Sequence, residues 1–251
     1  MTVSVTSYGM TDVGRRRDSN EDAFLDDDDL RLYAVADGMG GHAAGEIASS
    51  LAIESLASTV KAALAQPIAA DVDRAEEVLR DAVSRANRRI CESVLGRDEW
   101  RGMGTTVVAA ILVGDQAVVA HVGDSRAYLM HEGSLTRLTS DHSWVSEQVR
   151  MGLLSENDAH RHPMRNIVTR ALGNREDVDV EIRRSTARPG DVFLLCSDGL
   201  NTMLTDEEIR AALRDHAGDA RAACEALVDA ANRRGGEDNT TVVVVNVAGG
   251  L

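Results

Sequence analysis

Alternating or continuous apolar stretches recur along the whole chain, and each is typical of a β-strand. Short stretches near the N-terminus are followed by a longer block in the middle, and a β-branched run near the C-terminus predicts a buried final strand. The dipeptides Gly114-Asp115 and Gly123-Asp124 separate the middle strands and are typical of hairpin turns. The predicted strands cover residues 3–7, 23–25, 30–36, 105–113, 117–122, 127–131, 178–183, 191–196 and 240–247.

Helical periodicity predicts two pairs of helices between these strands. Apolar residues from Ile47 to Leu64, and again from Val78 to Val94, recur at intervals that place them on one helical face. Farther along, Thr205-Asp206-Glu207-Glu208 is a capping-box pattern that opens a third helix. Asp219 is a suitable N-cap for a fourth helix, which we expect to end at about Arg233.

The order of these elements predicts an α+β fold. Because the helices come in pairs and not singly between strands, we expect two mainly antiparallel sheets. Two such sheets packed face to face, with a helix pair on each outer face, form a four-layer α-β-β-α sandwich. The polar, weakly periodic segment at about 143–173 is expected to be a flap-like insertion with a short helix at about 144–151. We expect residues 1–251 to form a single domain.

Composition narrows the class of protein. The chain has 27 Lys and Arg against 41 Asp and Glu, a net charge of -14 that opposes binding to nucleic acid or to an anionic membrane surface. The longest apolar run, 107–113, is far shorter than the ~20 residues that span a bilayer. Three cysteines without paired spacing and an N-terminus without a signal-peptide pattern favour a reducing compartment. We therefore expect a soluble, cytoplasmic protein.

Five short acidic clusters are the candidate chemistry of this chain. Most lie where an apolar run meets a glycine or a small polar residue, which suits a carboxylate that holds a hard divalent cation. Since they are spread over nearly the full length, we expect the fold to gather them into one metal centre. The clusters are Asn20-Glu21-Asp22, Asp37-Gly38-Met39-Gly40-Gly41-His42, Gly123-Asp124-Ser125-Arg126, Ser197-Asp198-Gly199 and Asp238-Asn239.

In this order and at these separations, the clusters resemble the motifs of the metal-dependent serine/threonine protein phosphatases of the type 2C (PPM) family, in the compact bacterial form. The resemblance extends from Arg17 to about Asn239 and includes Gly104-Thr105-Thr106 and Asp141-His142-Ser143. It implies the α-β-β-α sandwich and hydrolysis of phosphoserine and phosphothreonine by direct attack of a metal-bridging hydroxide. Two Mn²⁺ or Mg²⁺ ions would acidify that water and neutralise the phosphoryl oxygens.

The resemblance also assigns roles to the metal-site candidates. Asp37 is expected to bridge both ions, and the backbone carbonyl of Gly38 to ligate one of them. Asp124, together with Asp198, resembles the site of a third, weaker ion in bacterial relatives. The remaining candidates complete the two ion shells or orient the groups around them; these are Asp22, Asp198 and Asp238 as ligands, and Glu21 and Asn239 as orienting residues.

Catalytic side chains are also implied. Arg17 resembles the arginine that grips the phosphate, and a guanidinium fork suits two phosphoryl oxygens. Many eukaryotic relatives have a histidine directly after the Asp-Gly pair, where this chain has Met39. His42, three residues later, occurs in the bacterial form of the motif and is a candidate acid for the leaving alkoxide. Alternatively, His42 only starts a helix and a metal-bound water is the acid. His160 and His162 either bind a metal or substrate, or are exposed loop residues.

The implied partners are phosphorylated serine/threonine proteins, Hanks-type kinases and their substrates, and the protein is expected to be a monomer. Four alternatives stay open from the sequence. A catalytically silent regulator of the same fold would bind phosphoproteins without hydrolysis, and a dedicated enzyme of a partner-switching pathway would act on one target. A metal-dependent nuclease is disfavoured by the net charge. The spacing Cys91-x5-Arg97 matches cysteine phosphatases, but Cys91 continues a helical stripe.

Overall fold

Two antiparallel sheets form the centre of the molecule in the computed structural model, which describes residues 3–40, 43–64, 71–95, 97–159 and 161–250. The strands within these residues are β1 (Val3–Asp12), β2 (Asp22–Asp27), β3 (Leu32–Met39), β4 (Gly104–Thr105), β5 (Val107–Val113), β6 (Gln116–Val122), β7 (Arg126–His131), β8 (Ser134–Arg137), β9 (Glu181–Thr186), β10 (Val192–Cys196) and β11 (Thr240–Gly249). The helices are α1 (Ala43–Leu64), α2 (Val72–Val94), α3 (Trp144–Arg150), α4 (Glu156–Ala159), α5 (Asp198–Asn201), α6 (Asp206–Asp215) and α7 (Ala220–Arg233), and Asp98–Trp100 is a 3-10 turn.

The strands divide into two sheets. Sheet I has the order β1, β11, β10, β7 and β8, and sheet II has the order β2, β3, β5, β6 and β9, with β4 beside β3. Every one of these pairings is antiparallel. The mainly antiparallel sheets predicted from the paired helices are therefore confirmed.

Strand alternation distributes the apolar side chains between the layers. On β3, Leu32 packs beneath α1 and α2, whereas the next residue, Tyr33, lies in the core between the sheets. On β11, Val242 packs against α6 and α7, and Val243 lies in the same inter-sheet core. Successive residues of a strand point to opposite faces, so each central strand contributes to two cores. The four-layer α-β-β-α sandwich is confirmed.

Local signals at the helix ends agree with the predictions. Thr205 and Glu208 form the capping box of α6, and Asp219 caps α7 by accepting a hydrogen bond from the Ala222 N–H at 3.0 Å. Each cap satisfies backbone N–H groups that have no partner inside the helix. Within the described ranges, no helix is both long and apolar enough to cross a membrane.

The hairpin predicted at Gly123-Asp124 is wrong. Strand β6 pairs with β5 and β9 in sheet II, whereas β7 pairs with β10 and β8 in sheet I. The chain therefore crosses from one sheet to the other at Gly123, whose φ is 111°. Both strands are buried and apolar, so their sequence pattern is the same whether they pair with each other or not. The hairpin at Gly114-Asp115, between β5 and β6, is confirmed.

Other boundaries also differ from the sequence predictions. The strand predicted at 105–113 is interrupted at Thr106 and forms β4 and β5, and β9 begins three residues later than predicted. Strand β8 was missed because it is a polar edge strand with exposed positions. Cys91 lies inside α2 and not in a phosphate-binding loop, which removes the cysteine-phosphatase alternative.

The segment 143–173, hereafter the flap, is largely irregular as predicted. Its short helix α3 is confirmed, and α4 follows it. One isolated bridge joins Ser143 to Val168 within the flap, and another joins Leu172 of the flap to Thr105 on β4. The two ends of the flap therefore lie beside each other, and its C-terminal end is held against the body of the molecule.

Candidate metal centre

Two aspartates face each other at one end of the β2–β3 hairpin. Asp22 is the first residue of β2, and the strand register pairs it with Asp37 on β3. Antiparallel neighbours on the same face have Cβ atoms about 5 Å apart. The hairpin therefore brings together the carboxylates of two separate sequence motifs.

Sheet I contributes the other candidate aspartates. Asp198 begins α5 and is separated from β10 only by Ser197, and Asp238 precedes β11, which is the neighbour of β10. Asp124 lies in the crossing between β6 and β7. Electrostatic repulsion from each of these carboxylates, and from Asp22, raises the pKa of Asp37 in addition to the effect of burial. The structure thus brings all five candidate aspartates into one cluster.

Hydroxyl groups hold the carboxylate of Asp22. Its Oδ2 accepts hydrogen bonds from Ser197 Oγ at 2.8 Å and from Thr241 Oγ1 at 2.7 Å. Thr241 Oγ1 also lies 2.6 Å from Thr11 Oγ1. Ser197 is the N-cap residue of α5 but makes no side-chain cap, because its hydroxyl bonds Asp22 instead. No role was predicted for Ser197 or Thr241 from the sequence, although both are hydroxyl residues in or beside the acidic motifs.

The main chain of Asp37 is fixed by the Gly104-Thr105-Thr106 segment. Its carbonyl accepts from Thr105 Oγ1 and from the Thr106 N–H, each at 2.9 Å. The Thr106 hydroxyl accepts from the Asp37 N–H at 3.2 Å and lies 2.7 Å from Ser125 Oγ. Buried hydrogen bonds of this kind restrict the position of the Asp37 side chain.

Gly38 fills a place in which a side chain would not fit. A Cβ here would lie 2.2 Å from the carbonyl oxygen of Gly45 and 2.5 Å from that of Glu21. The Gly38 N–H donates to the Glu21 carbonyl at 3.1 Å. The carboxylate of Glu21 in turn lies against Gly45 in the first turn of α1, where the helix dipole favours negative charge.

Asn239 holds the loop that carries Arg17. Its Oδ1 accepts from the Glu21 N–H at 2.9 Å, and its Nδ2 donates to the carbonyls of Val13 and Ser19, each at 2.9 Å. Three of the four hydrogen-bonding positions of this amide are therefore used. Each of the three bonds joins residues more than 200 positions apart in the sequence.

Arg17 stands at the solvent side of the cluster. Its Nη2 lies 2.6 Å from Asp238 Oδ2, and about half of its side chain is exposed. The hydrogen bond with Asp238 raises the pKa of Arg17 above its usual value. The guanidinium is therefore charged and within reach of a ligand at the cluster.

The histidine candidates are less informative. His42 and His160 lie outside the described residues. His162 lies in the flap, where its ring packs against Trp144 with the centroids 5.0 Å apart. Its Nδ1 accepts from the Met164 N–H at 3.1 Å, so the described contacts of His162 are within the flap.

Comparison with known proteins agrees with this geometry. Residues 14–235 match the family model described as Protein phosphatase 2C. This chain belongs to the protein phosphatase 2C family. The family predicted from the motifs is thus confirmed.

Relatives of this 2C-family chain are similar over nearly its whole length. The serine/threonine phosphatase stp of Listeria welshimeri is 40% identical over 238 residues, which are 94% of this chain and 93% of the relative. The crystal structure of the Mycobacterium tuberculosis serine/threonine phosphatase PstP/Ppp has a TM-score of 0.89 and 37% identity, covering 98% of this chain and 99% of that one. The catalytic domain of PstP in complex with two manganese ions has a TM-score of 0.87 and 36% identity, covering 98% and 100%.

The carboxylates of this 2C-family centre repel one another in the metal-free protein. Burial, followed by neighbouring carboxylates, raises the pKa of Asp198 to about 6 and that of Asp124 to about 8. Burial raises the pKa of Asp22 to about 7. Among the described residues, Asp22, Asp37 and Asp198 form no ion pair with a basic side chain. Clustered carboxylates and a backbone carbonyl such as that of Gly38 are the donors that Mg²⁺ and Mn²⁺ prefer, so the residues fit these ions.

Metal-free protein is expected to lose stability as the pH rises. The pKa values of Asp22, Asp124 and Asp198 are higher in the folded state than in the unfolded chain, so the folded state binds more protons above about pH 4. The stabilisation that these three groups give the folded state is present at low pH and is lost as the pH rises to about 8. Urea unfolding in EDTA should therefore give a free energy of unfolding that falls across this window.

The variant Asp124→Asn tests the cause of that pH dependence, because it removes the group with a pKa raised to about 8. Its free energy of unfolding should fall less steeply between pH 6 and pH 8 than that of the wild type. Equal slopes for the two proteins would contradict the assignment.

Proposed function

We propose that this protein is a metal-dependent phosphatase that hydrolyses phosphoserine and phosphothreonine in proteins. The observation that carries the proposal is the gathering of five aspartates from both sheets into one cluster, in a chain of the protein phosphatase 2C family. A catalytically silent regulator would be expected to have lost one of these aspartates or Arg17, and this chain retains them all.

Two Mn²⁺ or Mg²⁺ ions are the proposed cofactors. Asp37 would bridge both, and the Gly38 carbonyl would ligate one of them. Bound there, the pair of ions would supply an activated water and would neutralise charge on the phosphoryl group. The remaining proposed ligands are Asp22, Asp198 and Asp238, with Asp124 and Asp198 for a third, weaker ion.

The surrounding residues orient these groups and bind the substrate. Ser197 and Thr241 hold Asp22 in one rotamer through their hydroxyls, and Asn239 fixes the backbone around Glu21. The exposed face of Arg17 is proposed to bind two phosphoryl oxygens. His42 directly precedes α1 in the chain and is the proposed proton donor to the leaving alkoxide.

The proposed substrates are phosphorylated serine/threonine proteins, including Hanks-type kinases and their targets. A net charge of -14 disfavours polyanions such as nucleic acid. Free cysteines at positions 91, 196 and 224 suit a reducing cytoplasm. We propose that the chain acts there as a monomer, with one catalytic domain in which both sheets share the inter-sheet core.

The direct test is hydrolysis of a phosphothreonine peptide by the wild type with Mn²⁺ and with excess EDTA. Turnover that requires Mn²⁺ is expected. A protein that binds Mn²⁺ but does not hydrolyse the peptide would overturn the enzyme proposal in favour of the silent regulator. Salt-dependent binding to DNA would instead support a nuclease.

Arg17→Ala is expected to lower kcat/KM for the phosphothreonine peptide by about 100-fold, because a charge-assisted contact to phosphate contributes about 3 kcal/mol. Steady-state kinetics with Mn²⁺ at saturation would measure this. The neighbouring Arg16 is also exposed, so Arg16→Ala is the matched control and should remain close to wild type. Equal losses in the two variants would indicate a general charge effect and contradict the proposed role.

A further inference from the structure

A second cluster of titratable side chains lies outside the metal centre. It consists of His121 on β6, His142 directly before the flap and Glu181 at the start of β9, and one ligand atom from each lies within 4.8 Å of the others. The spacing resembles that of a transition-metal site. The orientation of the groups does not support one.

Three contacts oppose a cation in this cluster. The rings of His121 and His142 are stacked with centroids 4.6 Å apart and planes 14° from parallel, so their in-plane lone pairs do not converge on one point. The Nε2 of His121 lies 2.9 Å from the Ser140 carbonyl, which requires a proton on this nitrogen. The guanidinium of Arg170 lies 3.3 Å from His142 Nε2 and would repel a cation.

The contacts of His142 point instead to a second role. Its backbone N–H donates to the Gly123 carbonyl at 2.9 Å, and its ring Nδ1 accepts from the Gly123 N–H at 3.1 Å. One residue therefore satisfies both backbone groups of Gly123. The ring itself is buried, so water does not compete for these bonds.

The tautomer of His142 follows from its contact with the Gly123 N–H, and Arg170 Nη1 then forms no hydrogen bond with the protonated Nε2. Because Nδ1 accepts a hydrogen bond, the proton of the neutral ring must be on Nε2. Glu181 Oε2 lies 3.3 Å from that nitrogen and is placed to accept a hydrogen bond from it. Burial, with smaller effects of His121 and Arg170, lowers the pKa of His142 to about 4, in agreement with a neutral ring.

Gly123 is the residue directly before Asp124. Its φ of 111° is in a region that favours glycine, and an added Cβ would lie 2.5 Å from Thr106 Cβ. At this point the chain leaves sheet II for sheet I: the pairing of β6 ends at Val122 and that of β7 begins at Arg126, so Gly123 itself has no strand partner. The direction in which Asp124 projects therefore depends on what holds Gly123.

We propose that His142 is a positioning residue for metal binding: it clamps Gly123 and thereby aims the Asp124 carboxylate into the aspartate cluster, while Glu181 holds His142 in the required tautomer. The proposal rests on the proposed function, since it takes Asp124 as a metal ligand. His142 also joins this clamp to the flap, because its carbonyl accepts from the Thr169 N–H at 2.8 Å.

Two conservative variants separate the clamp from simple packing. In His142→Asn, the amide Oδ1 occupies the place of Nδ1 and still accepts from Gly123. In His142→Gln, the amide reaches the place of Nε2 and leaves the Gly123 N–H without its acceptor. Mn²⁺ binding to purified protein, measured by isothermal titration calorimetry, is the readout, and Asp124→Asn is the reference variant.

The weakest Mn²⁺ site is expected to lose about tenfold or more in affinity in Asp124→Asn, which lacks the ligand itself, and in His142→Gln, which lacks the group that supports it. His142→Asn should stay within about threefold of the wild type. A second readout is the Gly123 amide proton in NMR spectra, which should shift upfield only in His142→Gln.

Three results would overturn the proposal: wild-type Mn²⁺ affinity in Asp124→Asn, wild-type affinity in His142→Gln, or an equal loss in both His142 variants. If neither His142 variant folds, Glu181→Leu decides, because Glu181 is exposed; unchanged Mn²⁺ binding in that variant, with Glu181→Gln as its control, would also overturn the proposal. Failure of the proposed function is a separate outcome, since it would appear as a wild type that binds Mn²⁺ without peptide hydrolysis.

Discussion

Asp37→Asn is expected to lower kcat/KM for a phosphothreonine peptide by at least about 1,000-fold at saturating Mn²⁺. Asp37 is the proposed bridge between the two ions, and its main chain is held on both sides by Thr105 and Thr106. Asparagine has the same size but no charge, so the geometry is kept while the bridging ligand is lost. Steady-state kinetics over a range of Mn²⁺ concentrations would measure the effect.

The same variant should be more stable than the wild type when metal is absent. Burial and four neighbouring carboxylates raise the pKa of Asp37 well above its usual value. At pH 7 the folded state must therefore either bury this charge or bind a proton, and a neutral amide avoids that cost. In EDTA we expect a higher Tm for Asp37→Asn, and on addition of Mn²⁺ a smaller rise in Tm than the wild type shows. Loss of activity would then not be due to unfolding.

The exposed turn residue Asp29 provides the matched control. Asp29→Asn removes the same charge far from the cluster and should leave kcat/KM, the metal-free Tm and the Mn²⁺ response unchanged. Activity of Asp37→Asn within about tenfold of the wild type would exclude Asp37 as the bridging ligand.

Arg126→Met is expected to cost about 3–5 kcal/mol of the free energy of unfolding. The guanidinium donates to both oxygens of Asp141, at 2.9 and 2.7 Å, and to the Tyr128 hydroxyl at 3.0 Å. The side chains of Arg126 and Asp141 are only 10% and 9% exposed. Removing the arginine leaves the Asp141 carboxylate buried without its main partner. Urea unfolding at pH 7 would measure the loss.

Two further variants test this explanation. Arg137 also lies near Asp141, at 3.7 Å, but is 41% exposed, so Arg137→Met should cost less than about 1 kcal/mol. The double variant Arg126→Met with Asp141→Leu replaces both charges by apolar groups and should recover more than half of the lost stability. If Arg126→Met alone lowered the free energy of unfolding by less than about 1 kcal/mol, the Arg126–Asp141 pair would behave as an exposed ion pair, which would contradict this explanation.

Much of the fold could be predicted because its signals are local. The capping box at Thr205, the N-cap at Asp219 and the apolar stripe of α2 each depend on residues within a few positions of one another. The helices follow one another in pairs along the chain, which favours antiparallel sheets, since a parallel sheet needs one crossover helix between successive strands. These steps require no knowledge of which strands are neighbours.

The misplaced hairpin at Gly123-Asp124 shows the limit of local signals. Strands β6 and β7 are both largely apolar and Gly123-Asp124 lies between them, a pattern that is common to a hairpin and to a crossing between sheets. Pairing of β7 with β10, about 65 residues away along the chain, decides the outcome. Strand β8 was missed for a related reason, since its polar edge has no alternating pattern to detect.

The aspartates of the cluster were predicted from their motifs, whereas the residues that hold them were not. The carboxylate of Asp22 is held by Ser197 and Thr241, which are 175 and 219 positions away. His142 bonds Gly123 from 19 positions away. Such contacts have no sequence pattern, because a hydroxyl or an imidazole can form hydrogen bonds with many different groups. Only the folded backbone determines which group becomes its partner.

By itself, the sequence determined the family, the layered architecture and the acidic residues of the centre, since each of these depends on residue type and short-range order. The tertiary structure alone decided which sheet each middle strand joins, which hydroxyls hold Asp22 and how His142 reaches Gly123. The physical reason is that these are contacts between distant segments. Their geometry arises only when the two sheets pack, and buried polar groups must then find partners wherever the backbone places them.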